Sequence, residues 1–358
     1  MSRVPCLVSR WGEAVSWGLI GNERAVAALE RALGQGRAVH AYLFAGPARV
    51  GKHTLALKLA QALNCDGSEP PCDACQPCRR VAAGIHADVQ TVTVEAAEAG
   101  REGEEGQQKG IHVSQVREIE RATSLKPFEG RSRVVIFDPA DEMNAAAQNA
   151  FLKTLEEPPP QVAFVLVTAQ EERLLPTVRS RCRRLELRLP SLSQVESALV
   201  ERGVEPERAR LLARLSQGRI GWALEMAADG SRLALWQEKL QAACSLAMMG
   251  AAQRFELAER LANTFRHDRE PVLGELEAWQ EWWRDVLLVQ WQAEEGVSNA
   301  DMLAQLRQDA SRHARAEVTA FVRALGAARR HLEENVQPRL VLEALLLQAP
   351  RTVEPARR

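Results

Sequence analysis

The chain has 358 residues, of which 46% are hydrophobic and 26% charged, too long for one ordinary core and in keeping with two or three globular domains. Lys and Arg number 46 against 47 Asp and Glu, so the chain as a whole is no general polyanion binder, and only a local basic cluster fits that role. No apolar run approaches the roughly 18 residues of a membrane span, and the first residues lack the apolar stretch of a signal peptide, so a cytoplasmic protein without a membrane partner is expected.

Residues 23–34 carry helical periodicity, and His40–Phe44 reads as a short buried strand. The strand leads into Gly46-Pro47-Ala48-Arg49-Val50-Gly51-Lys52-His53, and a helix is expected over 54–63. The pattern G-x-x-x-x-G-K-[ST] puts backbone N–H groups, a lysine and a magnesium-binding hydroxyl around a triphosphate, at the N-terminus of the following helix. Gly46, Gly51 and Lys52 are therefore candidate nucleotide-binding residues. His53 stands where the hydroxyl belongs, and Thr54 comes one position late.

Four of the seven cysteines, Cys65, Cys72, Cys75 and Cys78, crowd together with spacing C-x6-C-x2-C-x2-C. In a cytoplasmic chain such clustering argues for metal rather than disulfides. Four thiolates suit a tetrahedral, structural Zn²⁺. An iron–sulfur cluster is the competing reading, disfavoured by the surrounding proline and polar residues and by the lack of a second cysteine cluster. Cys6 and Cys244 read as inert thiols.

Val89–Val94 alternates like a strand, and residues 95–110, acidic, glycine-rich and without aromatics, read as a disordered insertion. A helix over 113–124, a turn at Lys126–Gly130 and a strand over 133–138 follow. That strand ends in Asp138, the position of the carboxylate that holds Mg²⁺ through water in nucleotide hydrolases. The next residue is Pro139, which neither accepts a proton nor orients water, while Asp141 and Glu142 read as surface charges. A helix over 145–155 is stopped by Pro158-Pro159-Pro160, and a strand over 162–167, a short helix through 171–179 and a last strand near 184–189 complete the pattern. Such alternation predicts an α/β domain with a mostly parallel sheet covered on both faces. Arg179, Arg181, Arg183 and Arg184 form a basic cluster just past the fourth strand.

Beyond Pro190 the pattern becomes all-helical. Residues 191–229 read as three short helices broken at Gly203 and Gln217-Gly218, and 231–348 as a helical region ending in a basic tail. Trp279, Trp282, Trp283 and Trp291, with Leu276, Val286 and Leu287 at helical spacing, read mainly as core, with some rings available to a subunit interface.

The pieces Gly46–Lys52, Asn64-Cys65 with the cysteine knuckle, Lys126–Gly130, Asn149–Pro158 and Leu174–Cys182 occur in one order. In combination they resemble the AAA+ subunits of bacterial sliding-clamp loaders, and among these the delta-prime family of the DNA polymerase III holoenzyme. The resemblance covers residues 20–225 well and the remainder only in length and helical character. It implies an AAA+ domain over 1–188, a three-helix lid over 189–230 and a helical collar over 231–358. It further implies a hetero-oligomer with gamma/tau-like ATPase and delta-like subunits, which meets the sliding clamp and primer–template DNA through the complex. The ATP-hydrolysing gamma/tau relatives carry a hydroxyl after the lysine, an Asp-Glu pair after the acidic strand and a lid arginine. This chain has His53, Pro139 and Gly221 at those places. The expectation is a site that does not hydrolyse ATP efficiently, with Gly46, Gly51, Lys52 and Asp138 as a weak or vestigial nucleotide site. Whether ATP still binds there, or the loop only joins strand to helix, stays open at this level. By the same resemblance, Arg181 of Ser180-Arg181-Cys182 is the catalytic arginine offered in trans to a neighbour's triphosphate. The rival readings are a gamma/tau-like motor subunit, in which Thr54 or Asp141 takes over the missing roles, and a standalone AAA+ factor in repair or recombination.

Overall fold

The computed structural model describes residues 17–94, 110–334 and 336–351. The N-terminal stretch, residues 95–109 of the acidic insertion and the basic tail lie outside them. The described residues divide into two compact units, one running to Ala198 and including Gly218–Trp222, the other formed by Leu199–Gln217 and the chain from Ala223 onward.

The first unit is a five-stranded, wholly parallel sheet in the order β2-β3-β4-β1-β5. Its elements are α1 (Glu23–Gly34), β1 (Ala41–Ala45), α2 (Lys52–Asn64), α3 (Gln76–Ala82), β2 (Val89–Val92), α4 (Val113–Thr123), β3 (Arg133–Phe137), α5 (Ala145–Glu156), β4 (Val162–Thr168), α6 (Pro176–Arg179) and β5 (Arg183–Glu186). The central strands are apolar along their whole length because both sheet faces are covered. Side-chain alternation then splits each strand between two cores. Tyr42, Phe44, Val134, Ile136, Val165 and Val167 pack on one face with Val26 and Leu29 of α1 and Leu55 and Leu59 of α2. Leu43, Val135, Phe137, Phe164 and Leu166 pack on the other with Val116 and Ile119 of α4 and Phe151 and Leu155 of α5. Phe151 stands edge-on to both Phe137 and Phe164, with ring centroids 5.1 Å apart in each pair.

The last strand is shorter than its sequence suggests. The Leu187 amide still donates to Ala45 O, but the Arg188 amide donates to Asn22 Oδ1 and its carbonyl accepts from Asn22 Nδ2. The Asn22 side chain takes over the backbone groups of Arg188, so the strand stops at Glu186.

Three short helices follow, α7 (Leu192–Glu201), α8 (Pro206–Ser216) and α9 (Ile220–Ala228), and the breaks fall at Gly203 and Gln217-Gly218 as expected. The second unit continues through α10 (Gly230–Ser245), α11 (Ala251–His267), α12 (Glu270–Gln290), α13 (Leu303–Arg312), α14 (Arg315–Glu333) and α15 (Pro338–Leu347). Here α12 is central and packs against α10, α13 and α14, while α11 packs along α15. Trp279, Trp282 and Trp283 are fully buried, and Trp291 is exposed beneath the Arg315 guanidinium, 4.2 Å from its ring centroid. Arg254 of α11 is buried, and among the described residues it makes no ion pair. Its guanidinium donates to the carbonyls of Leu246, Met249, Leu346, Ala349 and Pro350, at 2.8–3.1 Å.

In the first unit the turn after α4 hangs on one buried carboxylate. Asp88 accepts from the amides of Phe128, Glu129 and Gly130 at 2.7–2.8 Å and pairs with Arg133 at 3.2 Å. Burial by itself would raise this carboxyl, but the three amides and Arg133 outweigh it and hold the group down at about 2. A carboxyl lowered by folding stabilises above its unfolded pKa and loses that contribution as pH falls toward its folded one. The shift from 3.8 to about 2 corresponds to about 2 kcal/mol at neutral pH. Asp88→Asn should therefore cost about 2 kcal/mol at pH 7. The gap to the parent should fall to roughly half near pH 3 and close below pH 2, measured as urea midpoints across that range.

Candidate functional site

The loop between β1 and α2 has the fold its sequence implies, at the carboxyl end of the central strands. Gly46 sits at φ +149°, and a Cβ there would lie 2.2 Å from Leu187 O, so only glycine lets the loop pass under that backbone. Gly51 caps α2 in a left-handed conformation, and the helix begins at Lys52, two residues earlier than expected.

Lys52 is buried, at 7% exposure, and its ammonium donates to Gly46 O at 2.7 Å and Pro47 O at 2.6 Å. Burial lowers its pKa, opposed by the charges of Asp138 and Asp141. His53, in the hydroxyl's place, puts Nδ1 2.7 Å from Asp138 Oδ2. The carboxylate at the end of β3 is thus held by an imidazole. Thr54 is exposed one position on, and Asp141 accepts instead from the Ala169 amide at 3.3 Å. Glu142 pairs with Arg173 at 3.2 Å. An open cleft of about 460 Å³ lies beside the loop, lined by Gly46, Pro47, Glu171, Arg184, Glu186 and Arg188 among others. Both arginines that line it are already engaged, Arg184 by Glu171 and Glu186, and Arg188 by Glu186.

Gly221, where the resemblance expects the lid arginine, lies at the start of α9 and donates its amide to Arg49 O of the loop at 2.9 Å. A Cβ at this position would stand 3.1 Å from Arg49 O and 3.3 Å from Arg49 Cβ. A side chain here would press on the backbone of the loop.

Arg181 lies just after α6, in the turn closed by its own amide donating to Val178 O at 3.1 Å. The guanidinium is partly exposed and is bonded to Glu156 and to the Thr177 carbonyl. Lys52, which begins α2 behind Gly51, reaches back to Gly46, and Asp138 is bonded to the next residue, His53, so these residues meet at the loop, while Arg181 follows α6. Sequence reasoning missed Glu156 as the partner of Arg181, although it stands in the quoted Leu155-Glu156-Glu157-Pro158 run. It also missed Asp88, a lone acid whose partners are about forty residues away and which carries no local pattern.

The four cysteines converge between α2 and α3. Their sulfurs all lie within 4.8 Å of one another, with Cys72 and Cys78 4.0 Å apart and Cys65 and Cys75 3.9 Å apart. A tetrahedral ion with bonds of about 2.3 Å sets its sulfurs about 3.8 Å apart, so the group fits one such ion with no open position. The amides of Cys75 and Ala74 bring the Cys72 thiol down to about 6, whereas burial raises Cys65 and Cys78. Cys182 and Cys244 lie elsewhere, both pushed up to about 12 by burial, which keeps them as thiols.

The profile of the family described as DNA polymerase III, delta subunit, matches residues 21–191. The DNA polymerase III subunit delta' of Pseudomonas aeruginosa is 32% identical over 326 residues, covering 88% of this chain and 93% of that protein. The subunit delta' of Bacillus subtilis is 28% identical over 337 residues, covering 93% and 98%. A gamma/tau subunit from Mycobacterium tuberculosis is 29% identical over 360 residues, covering 91% of this chain but 59% of its own length.

The cysteine geometry predicts one equivalent of tightly held metal per chain, released with four thiols when a mercurial titrates the protein. Chelation should disorder the segment around α3 and leave the sheet folded. Amide exchange would then quicken over 65–82 and stay protected in β1, β3 and β4, and global unfolding on chelation would contradict this.

Proposed function

The chain belongs to the delta-prime family of DNA polymerase III subunits, and from that premise we propose that it is the non-hydrolysing member of a clamp-loader ring. Its partners are gamma/tau-like ATPase subunits and a delta-like subunit, and through the complex it meets the sliding clamp and primer–template DNA. The proposed organisation is an AAA+ domain over 1–188, a lid over 189–230 and a collar over 231–358. The ion of the cysteine cluster is zinc in a structural role, favoured over iron–sulfur by the isolated four-thiol set and the lack of a second cysteine cluster among the described residues.

The observation that carries the reading is the state of the chain's own loop. The lysine that would bind phosphate is engaged by two carbonyls of its loop, and the carboxylate that would hold Mg²⁺ is engaged by His53. A nucleotide entering here has to displace both contacts and then finds no hydroxyl for its metal and Pro139 in place of a general base. The site of chemistry is then a neighbour's, and this subunit contributes Arg181. A fixed guanidinium on the transferring phosphoryl is worth roughly 10³–10⁵ in rate in phosphoryl-transfer enzymes that use one. Lysine would fit poorly, because a planar fork matches phosphate oxygens and a point charge does not.

Two measurements test this. The isolated chain should bind a fluorescent ATP analogue weakly or not at all, without Mg²⁺ dependence, and should show no turnover in the same tube. In the reconstituted complex, Arg181→Ala should leave assembly intact and lower hydrolysis at the adjacent site by at least about tenfold. Steady Mg²⁺-dependent hydrolysis by the isolated chain, abolished by Lys52→Ala, would make it a motor subunit instead.

A further inference from the structure

The Arg181 guanidinium is bonded within its own chain. Its Nη1 donates to Thr177 O at 2.9 Å and its Nη2 to Glu156 Oε1 at 2.5 Å, so two edges of the planar fork are spent on its own chain. Glu156 is the last residue of α5, and Arg181 lies in the turn after α6, 25 positions away in sequence. These two ends are held in fixed relation. Gln148 of α5 accepts from the Leu175 amide at 2.7 Å and donates to Arg173 O at 3.2 Å, and Val178 packs in one core with Phe151 and Leu155. The carboxylate therefore meets the guanidinium because the fold aims it there.

We propose that Glu156 is a retaining residue for Arg181. It holds the guanidinium against the subunit at rest and yields it when a neighbour presents a triphosphate. The inference rests on the role in trans given to Arg181 above. A guanidinium fork serves one anion well at a time, and a triphosphate offers more charge and more oxygens than a single carboxylate. The side chains are 35% and 53% exposed, and an exposed pair of this kind biases an equilibrium by up to roughly fivefold. Such a bias suits a resting contact, since a neighbour's triphosphate overcomes it and a stray carboxylate does not. Glu156 touches no reacting atom and acts only through Arg181, as a positioning residue.

The test uses the complete complex and compares ATP hydrolysis without clamp and DNA to hydrolysis with both saturating. Glu156→Gln keeps the shape and removes the charge. It should raise the resting rate by roughly two- to fivefold and leave the saturated rate unchanged, because release is then already complete. Glu156→Asp, with the charge on a shorter arm, should fall between the parent and Gln. The double variant with Arg181→Ala should match Arg181→Ala alone. A resting rate that is equal in parent, Asp and Gln forms, or that falls together with the saturated rate, overturns the retaining role while leaving Arg181 in place. If Arg181→Ala leaves both rates unchanged, the role in trans has failed first, and the retaining role with it.

Discussion

An ammonium cannot be buried without oxygen partners, and Lys52 meets that constraint from its own loop. The carbonyls of Gly46 and Pro47 turn toward the lysine, Gly46 slips beneath Leu187 O, and α2 starts at once behind Gly51. One residue on, His53 reaches across to Asp138 at the end of β3. The carboxyl ends of the central strands and the start of α2 are thus tied together by internal contacts alone. These contacts account for the shape of the loop.

The sheet was largely readable because its apolar runs are long and its breakers strong. Val134–Phe137 and Val162–Val167 can only be buried strands at that length, and Pro158-Pro159-Pro160 permits no helix. The errors lie where a single side chain overrides a pattern. Residues 187–189 look as strand-like as those before them, but Asn22, distant in sequence, satisfies Arg188 and ends the ladder. Lys52 joins α2 because glycine at 51 already supplies the left-handed turn. The cysteine spacing and the altered loop were legible as chemistry. The pairings His53–Asp138, Arg181–Glu156 and Asp88 with its turn were not, since each joins distant residues through a contact that leaves no periodic trace.

The helical unit follows the same logic in a different medium. Trp279, Trp282 and Trp283 fill its centre, and Trp282 is anchored by Nε1 donating to Asp309 at 3.0 Å. Trp291 shares their spacing and not their burial, because α12 ends there and its ring lies under Arg315 instead. Arg254 joins the chain before α11 to the end of α15 by collecting the carbonyls of Leu246, Leu346, Ala349 and Pro350 at and after helix ends. Helix C-termini carry partial negative charge, which suits a cation placed among them.

The closeness of Gly221 to Arg49 bears on what the loop and the start of α9 can each accept. With 3.1 Å between a would-be Cβ and the Arg49 oxygen, a larger residue at 221 fits only if the loop gives by a few tenths of an ångström. A side chain at 221 would therefore meet Arg49 of the loop first, and the two short segments are coupled: which residues one tolerates depends on the path of the other's backbone.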